Sequence, residues 1–229
     1  LVAKDLGLVA PYKFLVSAYA QGISANSVLP GGIVGGDAWR SLAIAKQAAG
    51  GSKTQGVLSV LLDRVSGFWG LTWLSLAAGL VAVFISQSTG GANQGWFDST
   101  LGQIYLLALL AIALAPLAGR LLHISWLKDL EADHHRDGIW TWLQAVIRVI
   151  NALPILRRTL LLSIVVQILG ATVFWLCLSS VGVQISWWLL AALCGGVFLS
   201  GILPAALGGF GARELGALAF MTPFGFSKE

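Results

Sequence analysis

Charge is scarce in this sequence: Asp, Glu, Lys and Arg together make up 10% of its 229 residues, against about 25% in soluble domains. So few charges cannot coat a soluble surface, because folded area falls too slowly with chain length to hide the remainder. Histidine is rarer still, at three residues. All three lie outside the segments singled out below, and they form no Ser/His/Asp or Cys/His arrangement of the kind nucleophilic catalysis needs. The two cysteines, Cys177 and Cys194, sit in apolar runs and form no CxxC pair. A disulfide framework or zinc site therefore has no basis, and both read as small packing residues. Glu131-Ala132-Asp133-His134-His135 contains one Glu-x-x-His pair, but a di-metal site needs a second. It reads as a solvated loop, and no metal or cofactor is expected. The net charge of +4 is dispersed along the chain, which excludes a clustered nucleic-acid surface.

What the chain has in abundance is apolar sequence. Hydrophobic residues reach 57%, with ten Trp, a residue that favours membrane interfaces. A spanning helix needs about 20 mostly apolar residues. Val65 to Gln87 and Leu101 to Gly119 carry no charge, and neither does the whole run from Thr159 to Ala212. Val181-Gly182-Val183-Gln184-Ile185-Ser186 reads as a turn inside that run. The expected spans are about 65–87, 101–119, 159–181 and 186–203. Leu6 to Val28 is apolar but carries Lys13, which suits a span, a half-span or an interfacial helix. Gly138 to Leu153 places Ile139, Trp142, Leu143, Val146 and Val149 at helical spacing, as an amphipathic helix lying on the membrane or against the bundle does. Leu215 to Met221 begins a further apolar helix. The expected fold is all-α, a polytopic transmembrane bundle forming one domain over residues 1–229. Its start without Met and its abrupt end give the chain the look of a piece of a longer membrane protein.

Two segments interrupt this pattern. Asn26 to Arg40 and Leu203 to Glu214 each contain Leu-Pro, then Gly-Gly, then an Arg four residues beyond the second Gly. Pro30 and Pro204 break helices, while Gly35, Gly36, Gly208 and Gly209 admit unusual dihedrals and close approach. At membrane depth, broken backbone survives only inside protein or along a watery cavity. A Gly/Pro break in each half of a chain points to a transporter's binding site, here in two broken helices of re-entrant type. Asp37, Arg40, Arg213 and Glu214 follow the breaks, and ionisable groups near membrane depth are functional candidates. The structural alternative is that Gly31/Gly35 and Gly32/Gly36 let helices pack closely while the arginines mark helix ends. Asp63-Arg64, just before the first clear span, reads as an interfacial anchor or a supporting pair. Gly208-Gly209-Phe210-Gly211 lacks the spacing of a nucleotide-phosphate loop.

LPGGIVGGDAWR (29–40), SVLLDRVSGFWGL (59–71) and LPAALGGFGARELGAL (203–218) resemble, in order and spacing, the signature segments of the flippase-like family. That family includes the transmembrane domain of lysylphosphatidylglycerol synthase, the multiple peptide resistance factor. The resemblance implies a lipid flippase or related transporter that moves an aminoacylated or otherwise modified anionic phospholipid, or a lipid-linked intermediate, across the cytoplasmic membrane. By similarity Asp37, Arg40, Asp63, Arg64, Arg213 and Glu214 are the family's characteristic polar positions. The chain departs from the family in two ways. Members usually carry further helices before the first motif and after the third, and the synthase a soluble aminoacyl-transferring domain; these 229 residues show neither, so the resemblance is not extended to lysyl transfer.

The expectation is thus a transporter rather than an enzyme. Arg40, Arg213, Asp37, Glu214, Gly35, Gly36, Gly208 and Gly209 would meet substrate, and Asp63, Arg64, Pro30 and Pro204 would support them. The rival classes are a membrane-embedded enzyme using Asp37, Asp63 or Glu214 as acid or base on a lipid headgroup, and a structural subunit of a membrane complex. Expected partners are membrane phospholipids and not nucleic acid, with room for a soluble synthase domain, a partner subunit or a second copy.

Orientation follows from Lys and Arg, which collect in cytoplasmic loops. Ser88 to Thr100 has neither, whereas Arg120 to Arg158 contains six. The first span then runs outward, the second inward, the third outward and the fourth inward. In a background without Cys177 and Cys194, a cysteine at Asn93 should react with an impermeant thiol reagent on intact cells, and one at Asp133 should not. The reverse labelling pattern overturns this topology.

Overall fold

The computed structural model describes residues 2–5, 8, 10–28, 33–47, 53–89, 97, 99–121, 153–200 and 212–222. Among them every regular element is a helix: α1 (Val2–Asp5), α2 (Tyr12–Val28), α3 (Ile33–Gln47), α4 (Lys53–Thr89), α5 (Thr100–Leu121), α6 (Leu153–Ser180), α7 (Trp187–Ser200) and α8 (Ala212–Met221). Three described stretches are long and apolar enough to cross a membrane: Gln55–Ile85, Thr100–Leu117 and Leu156–Ser180. The outer faces of α5 and α6 expose Leu101, Leu107, Leu161 and Val173, each at least 60% accessible. Faces this apolar belong against lipid. The sequence at 138–152 and the cores of both Gly/Pro breaks, 29–32 and 201–211, lie outside the described residues.

α4 is the spine. At 37 residues and 1.5 Å per residue it is about 55 Å long, and it begins well before the first apolar run. Asp63 and Arg64 therefore do not start a helix, as the sequence suggested, but stand within one. The reason is local: Lys53 to Leu62 contains good helix formers and no proline, so nothing stops the helix from extending backward. α2 and α3, with 17 and 15 residues, are each short of a full crossing. They pair with each other as an antiparallel hairpin, and α3 packs along the first half of α4. Glycine sets the spacing. A Cβ on Gly36 would collide with the Gly22 carbonyl and the Asn26 side chain, and one on Gly56 would collide with the Ser41 carbonyl.

α7 is the most deeply buried helix, with Leu189 to Val197 all enclosed. It starts cleanly. Gly182 takes φ 85° in the turn after α6, a conformation open to glycine without a Cβ penalty. Ser186 then caps α7, its Oγ accepting from Leu189 N at 3.2 Å in the N-cap manner. Polar side chains from neighbours grip the α7 backbone. Ser75 Oγ of α4 donates to Ala191 O at 3.0 Å. Tyr105 of α5 donates from its hydroxyl to Ala192 O at 2.7 Å and accepts from Gly196 N at 3.1 Å. Ala192 O and Gly196 N are the pair that closes one α-helical turn, so the Tyr105 hydroxyl is inserted at that rung. Such insertion is one of the few physical causes of a helix bend. α8 covers the same spot, with the Phe220 ring against Gly196 and 5.5 Å from the Tyr105 ring.

Two glycines separate packing from propensity. A Cβ on Gly70 would lie 2.7 Å from Ser163 Cβ across the α4–α6 contact, whereas one on Gly170 would meet nothing within 4 Å. Gly70→Ala should destabilise the protein by about 1–3 kcal/mol through overpacking. Gly170→Ala should be neutral or stabilising by about 0.5–1 kcal/mol, since alanine favours helix. Thermal unfolding in detergent micelles checks both, and equal effects would overturn this packing.

Candidate functional site

α3 carries Asp37 and Arg40 three residues apart, and α4 carries Asp63 and Arg64 side by side. Sequence spacing invites pairing within α3, but the helices cross-pair. Arg64 donates to Asp37 through two edges, Nε to Oδ2 at 2.7 Å and Nη2 to Oδ1 at 2.8 Å. Arg40 donates from Nη1 to Asp63 Oδ2 at 2.9 Å. Each helix thus supplies one acid and one base, and the cluster is electrically neutral. The bidentate Arg64–Asp37 fork is the geometry in which arginine binds carboxylate most strongly.

The α2–α3 hairpin completes the surroundings of Arg40. Its Cζ lies 4.7 Å from the Tyr19 ring centroid, a cation–π distance. Its Nε is buried and finds no acceptor among the described residues. Gly36 N, one of the first four α3 amides without an intrahelical acceptor, donates to Asn26 Oδ1 at 2.8 Å. The sequence suggested that Gly36 would meet substrate. Its amide is occupied by Asn26 from the end of α2.

Asp63 and Arg64 also line a cavity of about 650 Å³ between α4 and α6, with Tyr19 on its α2 side. Ser66, Thr159, Ser163 and Gln167 add polar groups, while Leu71, Val166 and Phe198 add apolar ones. That size is in the range of ligand pockets, and its lining has a charged part and an apolar part.

The sequence candidates distribute unevenly over this geometry. Asp37, Arg40, Gly36, Asp63 and Arg64 come together, and Gly35 lies one position away on α3. Arg213 and Glu214 stand in the first turn of α8, which packs on α7. Pro30, Pro204, Gly208 and Gly209 lie outside the described residues. Tyr19, Asn26, Ser163 and Gln167 were not among the sequence candidates. The last two had a signal: with Thr159 they recur every four residues along an otherwise apolar run, placing a polar stripe on one face of α6.

A bundle with three spanning-length apolar helices and a polar cleft among them defines a polytopic helical membrane protein. The chain belongs to the family of the lysylphosphatidylglycerol synthase TM region, whose model matches residues 1–229, the whole chain. No curated protein matches it, and no solved structure does.

The crossed pairing makes a specific mutational prediction. Asp37→Arg and Arg64→Asp should each lower the apparent melting temperature in micelles by roughly 5 °C or more, because each leaves like charges in contact. Combined, the two should recover most of the loss. Combining Asp37→Arg with Arg40→Asp instead should not, and recovery by that within-helix swap would overturn the pairing.

Proposed function

We propose that the chain is a lipid transporter of the cytoplasmic membrane, not an enzyme, and that the α4–α6 cavity holds the headgroup of an anionic, aminoacylated or otherwise modified phospholipid during passage between leaflets. The observation that carries this reading is the cavity's division into a charged part at Asp63 and Arg64 and an apolar part at Leu71, Val166 and Phe198. A phospholipid has the same division. Its phosphate must cross a medium where an unpaired charge is very costly, and a lined cleft lowers that barrier.

On this reading the arginines take roles different from those the sequence suggested. Asp37 engages Arg64 Nε and Nη2, which leaves Nη1 for a phosphate oxygen while the side chain stays fixed. Arg40, tied to Asp63 and stacked on Tyr19, sets the position of the carboxylate that lines the cavity. A headgroup bearing both phosphate and ammonium would find a partner for each charge in this neutral cluster. Arg213 is the counterpart after the second break and is tested beside Arg64. Membrane phospholipids are the partners this reading requires.

Liposomes containing the protein and headgroup-labelled phospholipid, with outer-leaflet quenching, test it. Arg64→Ala combined with Asp37→Ala removes the contact without stranding a carboxylate, and should slow leaflet exchange about tenfold or more. Arg64→Lys should retain only part of the rate, because a point charge cannot replace the fork. Arg213→Ala reports whether the second break lies on the same path. Wild-type exchange in the double variant would remove the headgroup role, and covalent conversion of the lipid in detergent would mark an enzyme instead.

A further inference from the structure

The cavity has a second polar element that the charged cluster does not use. Gln167 and Ser163 are one turn apart on α6, and both line it. They face two glycines of α4, also one turn apart. Gln167 Nε2 donates to Gly67 O at 3.2 Å, and Ser163 Cβ abuts Gly70. Because a carbonyl only accepts, this bond fixes the orientation of the amide: nitrogen toward α4, oxygen away. Gln167 Oε1 and the Ser163 hydroxyl have no partner among the described residues. A helix–helix fastener needs only the Nε2 bond. The remaining oxygen is an acceptor on the wall of a cavity lined in part by apolar groups, where a donor on whatever occupies the cavity can meet it.

We infer that Gln167 and Ser163 are specificity-determining residues of this cavity, selecting headgroups that carry hydrogen-bond donors. The inference rests on the proposed transport of phospholipid through the same cleft. The donor has two chemical sources, the hydroxyls of a glycerol headgroup or the N–H groups of a primary ammonium. A quaternary ammonium offers neither. A site with fixed acceptors discriminates against a ligand that leaves them unpaired far better than an apolar pocket discriminates by size.

Leaflet exchange in liposomes would compare labelled phosphatidylglycerol, phosphatidylethanolamine and phosphatidylcholine. The wild type should move at least one of the first two about tenfold faster than the third, and which one leads identifies hydroxyl or ammonium as the donor. Gln167→Met, which keeps length and apolar packing, combined with Ser163→Ala should bring that ratio close to one, chiefly by raising the relative rate of the choline lipid. A structural role would instead slow all three lipids equally and leave the ratio intact, which overturns the inference. A second readout does not depend on transport: displacement of a spin-labelled lipid from the protein in nanodiscs by the same three lipids. If exchange fails for every lipid, the transport reading falls. A binding preference for donor-bearing headgroups that the variants abolish then still upholds the selecting role, and one that persists in them removes it.

Discussion

The crossed ion pairs between α3 and α4 are the constraint on which the proposed site depends. Neither helix of the α2–α3 hairpin is long enough to cross a membrane alone, and Asp37 and Arg40 would be expensive residues on an isolated apolar segment. Their partners come from α4, the longest of the described helices. Arg64 and Asp63 neutralise them at 2.7–2.9 Å, and Asn26, Tyr19 and Gly22 fix the hairpin so that the pairs meet in register. Removing one member of such a group costs more than the pair contributes, because its partner stays behind as an unpaired charge.

The other half of the bundle is held by different means. Around α7 there is no ion pair among the described contacts; small residues and hydroxyls replace charge. Gly195 and Gly196 let Ser75, Tyr105 and Phe220 approach the helix backbone, and the hydroxyls of Ser75 and Tyr105 bond it directly. This is how helices associate where lipid removes the hydrophobic incentive: close van der Waals packing plus side-chain hydrogen bonds. The membrane character and the polar cleft therefore come from separate sets of contacts that share α4.

Much of this was legible in the sequence. Uncharged runs of spanning length announced α4, α5 and α6, and the segments ending in Arg40 and containing Asp63-Arg64 do meet in space. The cross-pairing was not legible. Asp37 and Arg40, at i and i+3, are neighbours on one helix surface, and only the packing of α3 on α4 gives each a better partner. Tyr19 and Asn26 lay in a segment whose composition fitted several structures equally, so no local pattern marked them. Gln167 and Ser163 sat in an apolar run that reads first as a plain span. Their periodicity was visible, but its meaning required knowing that α6 faces two glycines of α4.

The placement of the four charges also links the hairpin to the cleft. Asp63 and Arg64 line the cavity, and each is backed by a residue of α3 that holds it from behind. The guanidinium offered to the cleft is therefore only as well fixed as α3 itself. Sliding α3 along α4 by one helical turn, about 5.4 Å, would separate both pairs at once, since both join the same two helices. That would turn a neutral, clamped site into one with two arginines and two carboxylates seeking partners. A phosphate can satisfy an arginine, and an ammonium a carboxylate, so a headgroup bearing both would compensate for part of the broken pairing. On the proposed transport reading, lipid entry and hairpin position would be two terms of one electrostatic balance. The neutrality of the empty cluster keeps that balance near even, because no net charge has to be buried before or after the exchange.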